Sequence, residues 1–309
     1  MPIHPITQFA GILLLGGGLL SAQRSVPVRH TLRVENEQRV YYLHVPASVT
    51  GAKSVPLVVM LHGRGSDGRA AASPYYGWVA LADQQGFIVA FPDAVGRPRS
   101  WRPAWGGRKS PDSAFLCALL DELQKRCRVD PARVFLTGHS SGGIMSLSFA
   151  ATHGERVAAI GPVAGTIGAG LLRIPRPRTP VSVILVHGMA DRIVPYDAER
   201  GKRAAYPMLT GAPDSAAFWA LHNGCGKQPV RTELADGRVH LDVWSGGKAG
   251  TRVELYSIER GQHGWPAARS ALPATSRIWA FFTAHARRLA TEPPAKPTGR
   301  PTSRPTGRV

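Results

Sequence analysis

Short, unbroken runs of apolar residues recur along this chain, and they limit its fold more than any other feature. The runs are rich in β-branched residues, which is typical of strands that are covered on both faces. Stretches with helical periodicity separate several of them, and strands that alternate with helices predict an α/β fold with a mainly parallel central sheet and helices on both faces. The predicted strands are residues 57–61, 87–91, 134–136, 157–163, 181–186 and 253–258.

Two further elements can be read from local signals. Ser110 followed by Pro111 is typical of an N-cap and the first helical position, and leucines and Phe115 follow at helical spacing. We expect this helix to end at residues 129–131, which read Val-Asp-Pro. Residues 31–34 and 39–45 flank a polar turn and predict an antiparallel hairpin.

Functional residues of a parallel sheet lie in the loops at the carboxyl ends of its strands. The loop after residues 134–136 reads Gly138-His139-Ser140-Ser141-Gly142 and leads into a helix of small residues. This sequence fits G-x-S-x-G, a tight strand-to-helix turn that lifts a serine hydroxyl clear of the sheet. The motif predicts Ser140 as a nucleophile. Ser141 is a poorer candidate, because His139 stands where its preceding glycine would be.

A serine nucleophile needs a base and an acid that orients the base. Asp191 follows the strand at 181–186, and His263 follows the strand at 253–258, so the chain order is serine, acid, histidine. Asp197 is the alternative acid, although it lies beyond Pro195 and further from the strand end. We expect the other histidines to have structural roles.

The tetrahedral intermediate of acyl transfer also needs donors for its oxyanion. One predicted donor is the backbone N–H of Ser141, directly after the nucleophile. The other is the backbone N–H of Arg64, in the glycine-containing loop after residues 57–61.

The ends of the chain differ from its centre in composition. Residues 1–22 are expected to be a signal peptide, because the apolar stretch 9–20 is too short to span a membrane. We therefore expect a secreted protein, either periplasmic or extracellular, with a catalytic domain at 28–290. Residues 291–309 combine proline with basic residues and predict a disordered tail, which could contact an anionic polymer.

Charge and cysteine content leave alternatives open. The net charge of +18 is compatible with a protein that holds an anionic polymer, or with a bias toward arginine and a basic tail. No aromatic platform within a basic stripe is evident, so no specific nucleic-acid partner is predicted.

Cys117 and Cys127 are too far apart on one predicted helix to bond, whereas either could pair with Cys225.

Together these residues resemble the extracellular polyhydroxybutyrate depolymerase and feruloyl or acetylxylan esterase family of α/β hydrolases. The likeness extends over residues 30–285 and rests on segments such as PLVVMLHG, FPDAVG, GHSSGG, HGMADRIVPY and GQHGWP. The resemblance implies hydrolysis of a carboxylic ester, polymeric esters included, through an acyl-enzyme, with Ser140, Asp191 and His263 as the catalytic residues. It implies no metal and no organic cofactor.

Three departures make the transfer of a substrate from the family unsafe. Arg64 stands where the family often has cysteine, no cysteine follows Cys225, and residues 97–105 are rich in arginine. The candidates for substrate binding are Trp101, Trp105 and Trp265, whose rings could instead pack in the core. Arginines 64, 97 and 102 could favour acidic esters or lie in solvent. The candidate substrates are short acyl or hydroxycinnamoyl esters of polysaccharide, and hydroxyalkanoate polyester is the second candidate. Two other functions remain as alternatives to an esterase: a binding protein on a hydrolase fold, and a peptidase.

Overall fold

The computed structural model of the protein describes residues 26–50, 53–104, 109–170, 177, 179–197 and 208–287. The predicted signal peptide (1–22), the predicted tail (291–309) and Trp105 lie outside these residues. In the described part of the chain, no helix is long and apolar enough to cross a membrane.

The described residues contain ten strands: β1 (Val28–Val34), β2 (Glu37–His44), β3 (Val55–Leu61), β4 (Ile88–Pro92), β5 (Val129–His139), β6 (Ala159–Val163), β7 (Ser182–Gly188), β8 (Val230–Leu234), β9 (Val239–Trp244) and β10 (Val253–Ile258). They form one sheet, in the order β1-β2-β4-β3-β5-β6-β7-β10-β9-β8. The six strands from β4 to β10 in this order pair in parallel, and antiparallel strands flank them on both sides.

This sheet confirms the predicted mainly parallel architecture, and all six predicted apolar runs are strands of it. The hairpin of β1 and β2 is also confirmed, with antiparallel pairing from Val28 opposite Leu43 to Val34 opposite Glu37. Strands β8 and β9 were not predicted. Polar residues interrupt both strands, and the Arg231 guanidinium on β8 binds the Asp242 carboxylate on β9 at 2.7 Å, so this edge lacks the unbroken apolar signal.

Helices cover both faces of the sheet. They are α1 (Gly68–Ala71), α2 (Trp78–Gln85), α3 (Pro111–Arg126), α4 (Ser141–His153), α5 (Ala212–Asn223) and α6 (Ala274–Ala284). The Ser110 hydroxyl caps α3 as predicted, accepting from the Ser113 N–H at 2.9 Å. The helix ends at Arg126, just before the predicted stop at residues 129–131, where β5 begins.

Alternating side chains of the parallel strands divide the core into two layers. On β3, Leu57, Val59 and Leu61 pack with α3, α4 and α5, whereas Val58 and Met60 pack with α2 and α6. Both faces of a parallel strand are therefore buried, which explains the unbroken apolar runs. All three cysteines of the chain are free, so the pairing with Cys225 that the sequence allowed is absent.

Candidate active site

The nucleophile turn joins β5 to α4. Ser140 has φ 56° and ψ −119°, a conformation that L-residues rarely adopt. A Cβ on Gly138 would overlap the carbonyl carbon of Gly142, and one on Gly142 would overlap the carbonyl of Leu61. The turn therefore requires glycine at both positions, as the G-x-S-x-G motif predicts, and it places Ser140 at the N-terminus of α4.

The loops of the predicted acid and base are held side by side by two neighbouring strands. Strands β7 and β10 pair in parallel, with Ile258 opposite Gly188, so both loops leave the same edge of the sheet. The Ala190 N–H donates to the carbonyl oxygen of Gly261 at 2.9 Å. A Cβ on Gly188 would overlap the Gly261 carbonyl, so the two loops approach as closely as their backbones allow.

His263 connects Asp191 and Ser140 through both nitrogens of its ring. Its Nδ1 lies 2.8 Å from Asp191 Oδ2, and its Nε2 lies 2.9 Å from Ser140 Oγ. Because a carboxylate only accepts, Nδ1 carries the proton and donates it to Asp191. Nε2 then accepts from the Ser140 hydroxyl, as a general base must. Of the two candidate acids, the structure brings Asp191 and not Asp197 against His263.

The side chain of Asp191 is inaccessible to solvent, and both of its carboxylate oxygens accept hydrogen bonds. Oδ1 accepts from the backbone N–H groups of Ile193 and Val194 at 2.8 and 3.0 Å. The Nε2 of His187 lies 3.4 Å from Oδ2 on the other side. Burial by itself raises the pKa of Asp191, but hydrogen bonds with His187 and His263 outweigh burial, so this pKa lies below its usual range. Asp191 is therefore ionised at neutral pH.

The loop after β3 faces the nucleophile turn. Its His62 ring donates from Nδ1 to the Gly63 carbonyl oxygen at 2.7 Å and accepts at Nε2 from the Ala94 N–H at 2.9 Å. Burial lowers the pKa of His62, so the ring is a neutral brace for this loop. Arg64 and Ser141, the two predicted oxyanion donors, both border one cavity beside Ser140.

This cavity, called the Ser140 cavity below, has a volume of about 240 Å³. Arg64 is the only charged residue among the described residues that line it. The remaining lining is mostly apolar and comes from the turn before α3, from α4, from the Asp191 loop and from the segment before α5; it includes Trp101, Ile144, Ile193, Met208 and Leu209. A small apolar cavity beside a serine hydroxyl can hold the uncharged part of an ester.

Of the three predicted tryptophans, Trp101 lies at the Ser140 cavity. Its indole is 4% exposed and donates from Nε1 to the His62 carbonyl at 2.9 Å. Trp265 is buried to the same degree, at 3% exposed; its Nε1 donates to Thr275 Oγ1 at 2.9 Å, and its ring packs edge-on against Tyr76. It also borders a separate pocket together with His263. The structure thus shows the core packing of Trp265, and its contact with a substrate stays a prediction.

The segment that carries Trp101 is held by a buried ion pair. Asp112 at the start of α3 is inaccessible to solvent, and its Oδ1 lies 2.8 Å from Arg39 and 3.1 Å from Arg102. Its Oδ2 accepts from the backbone N–H of Arg102 at 2.7 Å. Arg102 is thereby engaged in structure and also binds Glu37 at 3.3 Å. This network fixes the chain next to the Ser140 cavity.

Two tyrosines that sequence reasoning missed support the His263 loop. The Tyr75 hydroxyl donates to the Trp265 carbonyl at 3.1 Å and accepts from the Trp265 N–H at 3.3 Å. The Tyr76 hydroxyl lies 3.5 Å from Nδ1 of His139, and burial raises the pKa of Tyr76 to about 12. Both residues lie between helices and not after a strand, so no positional signal in the sequence marks them.

His139 lies next to His263, with ring centroids 5.2 Å apart. Its Nε2 is buried without a hydrogen-bond partner among the described residues. Burial, and then the charge of His263, lower the pKa of His139 to about 4. His139 is therefore neutral at pH 7, and no hydrogen bond links it to Ser140, in agreement with the structural role expected for it.

Comparison with solved structures defines the class. The acetyl xylan esterase from Aspergillus awamori superposes with a TM-score of 0.62 at 17% sequence identity, over 83% of this chain and 99% of that chain. The protein has the α/β-hydrolase fold.

A comparison of the sequence with protein-family profiles identifies the family. The profile of the esterase PHB depolymerase family matches residues 39–195, about half of the chain. The protein belongs to this family and is a carboxylic ester hydrolase.

Two esterases of other organisms have similar sequences. Feruloyl esterase C of Emericella nidulans is 25% identical over 253 residues, which cover 80% of this chain and 84% of that protein. The bifunctional acetylxylan esterase/xylanase XynS20E of Neocallimastix patriciarum is 29% identical over 159 residues, which cover 52% of this chain and 22% of that protein. The family match includes Ser140 and Asp191 and ends before His263.

Proposed function

We propose that this esterase acts through an acyl-enzyme, with Ser140 as the nucleophile, His263 as the general base and Asp191 as the residue that orients His263. The observation that carries the proposal is the continuous hydrogen-bond chain from Ser140 Oγ through His263 to Asp191, at 2.9 and 2.8 Å. The ionised, buried carboxylate would stabilise the imidazolium that forms when His263 takes the serine proton.

In the proposed reaction, Ser140 Oγ attacks the ester carbonyl while its proton moves to His263 Nε2. The backbone N–H groups of Ser141 and Arg64 would bind the oxyanion, and each such donor typically contributes about 3–4 kcal/mol to transition-state stabilisation. The imidazolium then gives its proton to the leaving alcohol. Water, deprotonated by His263, attacks the acyl-enzyme, and the acid leaves as the proton returns to Ser140.

The position of His263 suggests which side of the ester enters the Ser140 cavity. The leaving alcohol must face His263 Nε2 to receive its proton, whereas the acyl group stays bonded to Ser140 Oγ. His263 is absent from the lining of the Ser140 cavity, and Ser140 and Ser141 border it. We therefore assign the cavity to the acyl group and the open side of His263 to the alcohol.

The size and lining of the cavity favour an acyl group larger than acetyl. A cavity of about 150 Å³ holds a benzene molecule, and the Ser140 cavity has about 240 Å³ with the Trp101 indole in its wall. A hydroxycinnamoyl group therefore fits, and short acyl groups fit with space to spare. We propose esters of polysaccharide as substrates, in line with the feruloyl and acetylxylan esterases among the relatives; hydroxyalkanoate polyester is the second candidate.

The predicted organisation of the chain remains part of this proposal. We propose export directed by residues 1–22, a catalytic domain over residues 28–290, and a basic tail over residues 291–309 that could contact an anionic polymer. The high positive charge of the whole chain, +18, supports such a contact.

Hydrolysis of p-nitrophenyl acetate by the full chain tests the mechanism. Replacing Ser140 with alanine should lower turnover by about 10⁶-fold if the three residues act as a unit. Ser276→Ala, an exposed serine on α6, should keep full turnover and serves as the matched control. A fluorophosphonate should add its mass to the peptide that contains Ser140 and to no peptide of the alanine variant.

Equal rates for the parent and Ser140→Ala, with both proteins folded by near-ultraviolet circular dichroism, would refute the proposed nucleophile. Labelling of a different serine would refute it as well.

A further inference from the structure

The loop that carries the proposed general base is fixed firmly at its beginning. There the Gly261 carbonyl accepts from the Ala190 N–H at 2.9 Å, which ties the loop to the neighbouring strand end. Beyond this point the loop has less support of its own. His263 is followed by Gly264, whose backbone is freer than that of any other residue type, and the side chain of His263 is 17% exposed. The end of the loop after His263 therefore needs a second anchor if Nε2 is to stay opposite Ser140 Oγ.

The hydroxyl of Tyr75 supplies this second anchor. It donates to the Trp265 carbonyl at 3.1 Å and accepts from the Trp265 N–H at 3.3 Å, so one atom holds the two peptide groups on either side of the Trp265 Cα. A Cβ on Gly264 would lie 3.8 Å from the same hydroxyl, which places the hydroxyl directly beside the residue that follows His263. No other described group forms a hydrogen bond with the backbone of residues 262–265.

The neighbour of Tyr75 connects this anchor to the nucleophile turn. The ring of Tyr76 packs edge-on against Tyr75, with centroids 5.0 Å apart, and edge-on against Trp265 at 5.2 Å. The Tyr76 hydroxyl lies 3.5 Å from Nδ1 of His139, the residue before Ser140. The pair Tyr75–Tyr76 therefore contacts the loop of the base and the turn of the nucleophile at the same time.

The exposure of Tyr75 separates this contact from the packing of the core. Tyr75 is 55% exposed, so its side chain is only partly covered by the fold. Its hydroxyl nevertheless has a defined position, because it both donates to and accepts from one residue. Loss of the hydroxyl alone would free the loop and would leave no cavity in the core.

We propose that Tyr75 is a positioning residue for the general base, which holds the backbone after His263 and, with Tyr76, sets the separation between His263 Nε2 and Ser140 Oγ. The proposal rests on the proposed function, because it takes His263 as the base of Ser140. Tyr75 does not border the Ser140 cavity, so it would act through His263 and not through the acyl group. Proton transfer requires the two heavy atoms to lie within about 2.6–3.2 Å, and a displacement of about 1 Å can cost about 10²-fold in rate.

Tyr75→Phe tests this role, because it removes only the hydroxyl. With p-nitrophenyl acetate and the full chain, kcat should fall by about three- to tenfold, the loss expected when about one net hydrogen bond no longer holds the loop. KM should stay close to the wild-type value. Tyr42→Phe is the matched control, since it removes the hydroxyl of a partly buried tyrosine on β2, and it should keep the wild-type kcat. Urea unfolding checks that both variants are folded.

Two further measurements distinguish a positioning role from a merely structural one. The rate at which a fluorophosphonate inactivates the enzyme should fall by the same factor as kcat, because Ser140 still needs His263 as its base although no alcohol is bound. In Asp191→Asn the base no longer accepts the serine proton, so its position no longer matters. Adding Tyr75→Phe to Asp191→Asn should therefore cause no further loss of kcat.

An unchanged kcat in Tyr75→Phe, or a rise in KM alone, would overturn the positioning role and leave the esterase mechanism intact. An equal loss of kcat in the wild-type and Asp191→Asn backgrounds would overturn it as well, because Tyr75 would then act independently of the base. The proposed function fails in a different way: the wild type would then hydrolyse the ester no faster than Ser140→Ala.

Discussion

Replacing Asp191 with asparagine should abolish most activity while leaving the fold intact, and the reason lies in the different tasks of its two carboxylate oxygens. Oδ1 accepts from the N–H groups of Ile193 and Val194, whereas Oδ2 accepts from His263 Nδ1. The asparagine oxygen must stay on the two backbone donors. Turning the amide over would leave both donors buried and unpaired, at about 1–3 kcal/mol each.

The amide nitrogen is therefore forced to face His263 Nδ1. Because the NH₂ group only donates, Nδ1 must give up its proton, and the proton of the neutral ring moves to Nε2. Nε2 then donates to Ser140 and can no longer accept its proton. A base locked in the wrong tautomer typically costs about 10⁴-fold in kcat, or about 5 kcal/mol of transition-state stabilisation.

Initial rates with p-nitrophenyl acetate at pH 8 measure this loss, and urea unfolding checks that the variant is folded. Asp197→Asn is the matched control, since it makes the same chemical change at the other candidate acid and should stay close to wild type. The reasoning would be refuted if Asp191→Asn kept more than about a tenth of the activity, or if Asp197→Asn lost as much.

Two further predictions concern stability. Asp112→Ala should cost about 3–5 kcal/mol in the free energy of unfolding, because it leaves the buried guanidinium of Arg39 without its carboxylate. Asp121→Asn, at the surface ion pair with Arg156, should cost about 1 kcal/mol or less, and urea midpoints test both. His139 has a folded-state pKa of about 4, below its unfolded value of about 6.5. Because the unfolded ring binds a proton more readily than the folded one, the free energy of unfolding should fall by about 2–3 kcal/mol as the pH drops from 6.5 to 4. His139→Gln should remove this loss of stability. An unchanged pH dependence of unfolding in the variant would contradict the prediction.

Much of the parallel sheet and the nucleophile turn could be predicted from local sequence. An unbroken apolar run is sufficient to identify a strand that is buried on both faces, as β3 and β7 show. Ser110 before Pro111 marks the start of α3 because an N-cap needs only its own side chain and the next few N–H groups. The glycines around Ser140 likewise reflect sterics within a single turn.

Other features depended on contacts that no local pattern contains. The exposed strand β8 carries three consecutive polar residues (231–233), so its pairing with β9 gives no apolar signal. The sequence left open whether Trp265 packs in the core, and its contacts with Tyr76 and Thr275, nearly 200 and ten positions away, are visible only in the structure. The burial of a ring depends on what packs over it, and the neighbours of Trp265 in sequence do not reveal that.

The candidate site shows the same division. Reading the sequence was enough to find which residue types follow which strands: Ser140 after β5, Asp191 after β7 and His263 after β10. The folded chain was needed to show that Asp191 and not Asp197 reaches His263, and that Arg64 borders the same cavity as Ser140. Strand and turn preferences act over a few neighbouring residues, whereas a hydrogen bond across 72 positions depends on the register of β7 against β10 and on the packing of the whole sheet.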